Sequence, residues 1–406
     1  MRRKLFVVGS AALMCFNQFI FVSNACAAPA PEDYFVEMES VGKKRFSSAD
    51  LDKLYPVNAD SSKWEKLVTE EEKFGKTQIA SSIAEKMSTG TLLEAVMRSP
   101  MLYTVEDADD RKSGAMAFLE KTNAGQELLG RRGAKDAIVK EYLSLEIPEE
   151  TLNDYSEIDH CSSEEYNSTI MKLLADKEFS ENLDQDMDAY YRTHFLEGVL
   201  LSDEIYPALS TEEKKKLYDK SLVLNEEKQK SEVFSYGAEE SFTEALMADG
   251  SLAEKTALLK SAKSVTTKTV YVKTPNGTKV KATQYSDNHV NSSAYVASYQ
   301  KSNKNKTVVS PGWSRSNCHA YTWPSDKDVW MNSVGAFITD GSYVKVSAGR
   351  PTANGQKVTN GTHSAIVINC GSQRIKTKMG GSPIYECDLK VDFPGSYQVY
   401  KRNNVC

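Results

Sequence analysis

The hydrophobic period of this chain changes once, near Ser264, and that change limits the possible folds more than any other feature. Before it, apolar residues recur at helical spacing and strand signals are nearly absent. After it, apolar and polar residues alternate with period two around short turn signals. Charge follows the same division. Residues 265–406 carry 18 Lys/Arg against 7 Asp/Glu, whereas residues 29–264 carry 29 against 49. An acidic half of net −20 is therefore joined to a basic half of net +11, which the overall −6 conceals. A chain of 406 residues also exceeds what one hydrophobic core usually organises, so two domains are expected.

The acidic half reads as helical throughout. Trp64, Leu67, Phe74, Ile79, Ile83 and Met87 fall mostly on one helical face across Ser61 to Met87. Thr91 and Glu94 form a capping box that opens an apolar run, and Ser99-Pro100 stops it. Further helical segments run over 108–120, 134–145, 164–174, 190–200, 211–232 and 240–260. No fixed repeat period is present. His160, His194 and His289 lie outside the stretches that carry chemistry and are expected at the surface. The basic half opens with alternating strands around Pro275-Asn276-Gly277, a hairpin signal. The Ser/Asn/Lys-rich stretch 291–306 reads as a loop. Strands are expected at 342–346, around 363–368, at 374–378 and at 397–401, which gives an α+β domain with a mostly antiparallel sheet.

At the N-terminus, Arg2, Arg3 and Lys4 precede an apolar run to about Val22, and Ala25-Cys26-Ala27 supplies small residues for cleavage. A signal peptide over 1–27 is expected, followed by an acidic helical region over 28–263 and the α+β domain over 264–406. No later stretch is long and apolar enough to span a bilayer, so the expected product is exported and extracellular, either free or associated with the cell surface.

Two stretches carry chemistry. Asn317-Cys318-His319-Ala320-Tyr321-Thr322-Trp323 places a cysteine where a helix begins, and Thr362-His363-Ser364-Ala365-Ile366-Val367-Ile368 places a histidine at the mouth of a buried strand. A thiol and an imidazole brought together form the ion pair of a thiol hydrolase, with Cys318 as nucleophile and His363 as base. The Cys318 backbone N–H would open an oxyanion hole, with Ser316 and Asn317 the nearest side chains. His319 and Trp323 read as packing or substrate-edge contacts. Trp313 and Trp330 crowd the same stretch and read as core or groove wall. No CxxC or HxxxH pair accompanies these residues, so neither a metal site nor a cofactor is expected.

The order of cysteine helix and histidine strand resembles the papain-like thiol hydrolases, in particular the NlpC-type and CHAP-type bacterial cell-wall enzymes. The stretches SNCHAYTW, DGSY, THSAIVI and IKTKMGG, with TLLEAVMRSPML and GQELLGRRGA before them, resemble a group of secreted bacterial proteins that join an acidic helical region to such a domain. The resemblance implies a papain-like fold and an active site on Cys318 and His363. It implies a third residue near Thr377, which stands where such enzymes carry Asn before Ser-Trp-Gly. Met379 stands in place of that Trp, and no Gly-Asp pair precedes His363. Gln373, Asp340 or a backbone carbonyl are alternatives for orienting the imidazole.

Beyond the expected cleavage point the chain keeps Cys161, Cys318, Cys370, Cys387 and Cys406. An odd number leaves one thiol free, and the other four allow up to two bridges in one of three connectivities. The expected activity is amide hydrolysis of a peptidoglycan peptide or a protein, on an anionic cell wall favoured by the basic half, with no nucleic-acid partner. The alternative is a non-catalytic surface-binding protein whose hydrolase-like domain has lost its chemistry.

Overall fold

The structure is a computed structural model. It describes residues 46–55, 61–64, 66–108, 110–148, 158, 162, 164–228, 231, 242–248, 267–286, 290–313, 315–324, 328–347 and 349–403. The expected signal segment, the boundary near 264, His160 and His289 lie outside these. Among the described residues no helix is long and apolar enough to cross a membrane.

The helical half forms around the 24-residue helix Lys177–Leu200, whose second half is buried on every side. Helix Arg111–Lys121 crosses it so closely that a Cβ at Gly198 would meet the Arg111 carbonyl oxygen at 2.3 Å. Burying a polar helix requires its charges to be paired. Arg192 accordingly reaches Glu141 at 2.6 Å and Glu94 at 3.2 Å, and Glu197 accepts from Arg111 at 2.5 Å and Lys228 at 3.0 Å. His194 belongs to this network and is 2% exposed, which corrects its expected surface position. Its Nδ1 meets Glu106 at 2.6 Å and its Nε2 meets Arg111 at 3.0 Å. Arginine only donates, so Nε2 accepts and Nδ1 carries the hydrogen given to Glu106. The stretch Ser61 to Met87 divides into helices Ser61–Trp64, Glu70–Lys76 and Ser81–Ala84, because Thr69 and Glu72 form a capping box that starts a new helix inside it.

In the basic half, β1 (Thr267–Lys273) and β2 (Lys279–Tyr285) pair as the expected antiparallel hairpin. The remaining strands are β3 (Thr307–Ser310), β4 (Tyr343–Lys345), β5 (Lys357–Thr359), β6 (Ser364–Asn369), β7 (Arg374–Thr377), β8 (Ile384–Asp388) and β9 (Gln398–Arg402). They form a seven-stranded antiparallel sheet in the order β3-β8-β7-β6-β5-β9-β4. The fold class is mixed α+β.

The stretch expected as a loop contains helix Ser293–Ser302, capped by Ser292, which accepts from the Tyr295 N–H at 3.2 Å. Ala294, Tyr295, Val296, Ala297 and Tyr299 are buried, and Tyr191 meets Ser298 at 3.0 Å. Asn167 donates to Gln300 at 2.8 Å, and Lys301 reaches Asp184 at 2.6 Å. Through this helix one hydrophobic core runs from Phe46 in the helical half to Val399 in the sheet. A smaller core gathers Trp323, Phe337, Tyr343 and Tyr400 beneath the hairpin residues Val272 and Val280.

Candidate active site

Cys318 opens the helix Cys318–Thr322. Asn317 caps it, accepting from the Ala320 N–H at 3.1 Å while its own amide donates to the Met331 carbonyl at 2.9 Å. Asn317 thus holds the helix start in place, and it also lines the cavity at Cys318. Ser316 is fully buried, and its hydroxyl has no hydrogen-bond partner among the described residues. A helix of five residues sums few peptide dipoles. The charge at Cys318 must therefore be explained by side chains.

His363 sits one residue before β6, on the turn closed by Asn360, whose Oδ1 accepts from the His363 N–H at 2.8 Å. Its ring is buried, stacks on Phe393 at 5.1 Å and meets Asp392 through Nε2 at 3.3 Å, which leaves Nδ1 for Cys318. Burial pushes the Cys318 thiol up. The positive field of His363 and hydrogen bonds from His319 and His363 outweigh it and bring the thiol down to about 5. Burial pushes the His363 imidazolium down, but the thiolate and the bond to Asp392 raise it to about 10. The pair titrates as a unit, so these values belong to the two groups together.

Asp392, at the end of helix Leu389–Asp392 after β8, is the partner of His363 that sequence reading missed. Its Oδ2 accepts from the Tyr385 hydroxyl at 2.7 Å, and Lys306 approaches at 3.7 Å. Burial alone would raise this carboxyl. The Lys306 charge and the bond from His363 hold it well below the ordinary carboxylate range. Lys306 is itself buried over the Tyr385 ring at 4.5 Å and donates to the Tyr299 hydroxyl at 3.2 Å. The orienting group is therefore supported in turn by charge and hydrogen bonds.

Thr377 does not orient the imidazole. It is fully buried, and its hydroxyl donates to the Ser364 carbonyl at 2.6 Å, tying β7 to β6. Of the alternatives, Gln373 donates to the Cys370 carbonyl, and Asp340 accepts from the Thr274 hydroxyl and from the Ser342 N–H at 2.8 Å. Both lie in turns away from His363.

His319 and Trp323 converge on one hydroxyl. Trp323 Nε1 donates to Ser364 Oγ at 2.9 Å, and the Ser364 hydrogen is available to His319 Nδ1 at 2.8 Å. With Nδ1 accepting, the ring hydrogen stands on Nε2, in keeping with the His319 hydrogen bond that helps to lower the Cys318 thiol. His319 belongs to the polar shell of the thiol as well as the cleft wall. Trp323 lies in the smaller core and does not line the cleft. Lys378, directly after Thr377, is 0% exposed. Its ammonium donates to the Trp313 carbonyl, and burial pushes the amine down to about 7, against a smaller upward pull from Cys318.

A cavity of about 340 Å³ opens on Cys318, His319 and His363, with Thr362 and Met379 on its rim. Asp107, from the helical half, closes one side. Gly380 makes this approach possible: a Cβ there would lie 2.8 Å from the Asp107 carbonyl oxygen, and its φ of +40° favours glycine. Cys318, Cys370 and Cys387 are free thiols, so neither Cys370 nor Cys387 forms an expected bridge, and Cys161 and Cys406 lie outside the described residues. No family model matches the chain, and no curated protein or solved structure matches it either.

Proposed function

We propose that this protein is a cysteine hydrolase of papain-like type that cleaves amide bonds in a peptide or peptidoglycan substrate. On this reading it is exported behind residues 1–27 and acts outside the cell on an anionic surface. The observation that carries the reading is one arrangement: a buried thiol lowered by the field of an imidazole, and a carboxylate on Nε2 of that imidazole, with the thiol and imidazole opening on one cavity.

The chemistry follows from that order. The Cys318 thiolate attacks the substrate carbonyl while His363 carries the proton the thiol gave up. Negative charge moves from sulfur to the carbonyl oxygen, where the Cys318 backbone N–H at the helix start is the nearest donor. His363 then protonates the leaving amine, and the acyl group stays on sulfur as a thioester. Water, giving its proton to the neutral imidazole, releases the acid and restores the thiol–imidazole pair. Asp392 holds Nε2 throughout, which keeps Nδ1 towards the sulfur and stabilises the imidazolium.

An ordinary thiol near pKa ~8.5 is scarcely ionised at pH ~6. Iodoacetamide should nevertheless alkylate Cys318 rapidly at pH ~6, and His363→Ala should slow this towards the rate of a free thiol. Cys318→Ala should abolish cleavage of casein or of purified muropeptides while leaving the thermal transition in place. A folded protein whose Cys318 labels at pH ~6 no faster than free cysteine would exclude the hydrolase and leave a binding protein.

A further inference from the structure

A second cavity, of about 580 Å³, adjoins the one at Cys318. Asn332, which is exposed, lines both. The two share walls at consecutive residues as well: Asp107 and Gly380 face the cysteine side, whereas Glu106, Ala108 and Gly381 face the larger space. The far wall is helical, from Arg111, His194 and Ala245. The near wall is Thr283, Tyr285 and Trp330 of the basic half. Both volumes lie in the range of sites that bury a ligand.

The chemistry of the larger wall restricts its occupant. Its charged groups are largely paired with one another. Arg111 is bonded to Glu197 and His194, Glu106 to His194, and Asp110 to the N–H and hydroxyl of Ser113. Arg315 lies over the Tyr285 ring at 4.7 Å. A strongly charged ligand would have to break such pairs and leave a buried charge uncompensated, which costs more than it returns. What remains for a ligand is aromatic surface, neutral hydrogen-bonding groups such as Asn332 and Thr283, and the Arg315 guanidinium on the Tyr285 ring.

We infer that the substrate site is composite: a peptide chain leaves Cys318 past Asn332 and lies in the larger cavity, against the Glu106–Arg111 segment of the helical half. This rests on the reading of Cys318 as nucleophile. It makes the helical half a specificity element of the enzyme, since that half supplies a wall along which several substrate residues run. The shared core and the Gly380 contact keep that wall in place in the absence of substrate.

The test uses the full chain and three affinity labels: iodoacetamide, an iodoacetyl-capped tetra-alanine amide, and an iodoacetyl-capped chitotetraose. Cys318 alkylation is followed by mass spectrometry at pH ~6. The peptide label should react at least tenfold faster than iodoacetamide and saturate with concentration, whereas the saccharide label should show no such advantage. In Ala245→Trp, which fills the far wall, the ratio of peptide to iodoacetamide rates should fall to about one. The ratio cancels any change in the thiol itself. A peptide advantage absent from the unmodified chain, or surviving Ala245→Trp in a folded protein, would overturn the composite site. A saccharide advantage in its place would overturn the assignment to peptide. Slow iodoacetamide labelling of the unmodified chain is a different outcome, which removes the nucleophile itself before any peptide is compared.

Discussion

At the residue scale the decisive group is Asp392, since it determines which imidazole nitrogen faces the thiol. Asp392→Asn preserves shape but removes the charge that holds the imidazolium, so amide hydrolysis should fall by about 10²–10⁴-fold, by analogy with other oriented histidines. The alkaline limb of the rate profile should move to lower pH, because His363 loses one of the groups that raise it. Thr377→Val should leave the profile where it was, since that hydroxyl serves the β6–β7 pairing. In the unaltered protein, the thiol lowered to about 5 and the imidazole raised to about 10 bracket the active form. Below the first value the thiolate gains a proton, and above the second the imidazolium loses one. The rate of Cys318 alkylation and of substrate cleavage should therefore rise with pH through about 5. Cleavage should fall again near 10, measured as initial rate against pH in constant ionic strength.

At the element scale, two short pieces of backbone hold the site together. Helix Ser293–Ser302 brings the sheet against Lys177–Leu200, and its start depends on the Ser292 cap. Ser292→Ala should cost about 1 kcal/mol, seen as a lowered urea midpoint at constant slope. The Gly380 turn is less tolerant. Gly380→Val would set a branched side chain against the Asp107 and Ala108 carbonyls at a positive φ. It should destabilise the fold and slow a peptide label more than iodoacetamide, because the wall that moves is the one the substrate follows. Equal slowing of both labels would place the damage at the thiol instead.

At the scale of the whole molecule, opposite net charges on the two halves suggest a detachable acidic mask over a basic enzyme, but the packing describes a different relation. Tyr191, Asn167 and Asp184 bond to the Ser293–Ser302 helix, and one core includes Leu196, Val296 and Val367. Residues 265–406 alone would expose the helical-half side of that core to water, at roughly 25 cal/mol per Å² of apolar surface. That fragment should aggregate or unfold without a cooperative transition, whereas the full chain should melt as one unit in calorimetry. A soluble fragment with a sharp transition and rapid Cys318 labelling would restore the mask.

The sequence by itself determined most local elements and singled out the two residues, Cys318 and His363, that the fold brings to one cavity. Helical periodicity, the β1–β2 hairpin and the β6 and β7 strands were legible because each depends on residues a few positions apart, whereas the helix expected to start at Thr91 is capped by Ser88 and starts at Thr89. The thiol was legible as well, since a cysteine after an Asn cap carries its own signal. What only the tertiary structure decided depends on distance along the chain. Asp392 lies 29 residues beyond His363 and reaches it only because β8 pairs with β7, a pairing that the local sequence of neither strand specifies. Helix Ser293–Ser302 was hidden by its polar composition, because small serines and buried tyrosines pack against a partner that the local sequence does not reveal. His194 was hidden for the same reason: a charged helix reads as solvated until the residues that neutralise it, Glu106 and Arg111, are brought from more than 80 positions away. Local propensity is written residue by residue, whereas pairing of buried charges and the third member of a site exist only once distant segments share one interior.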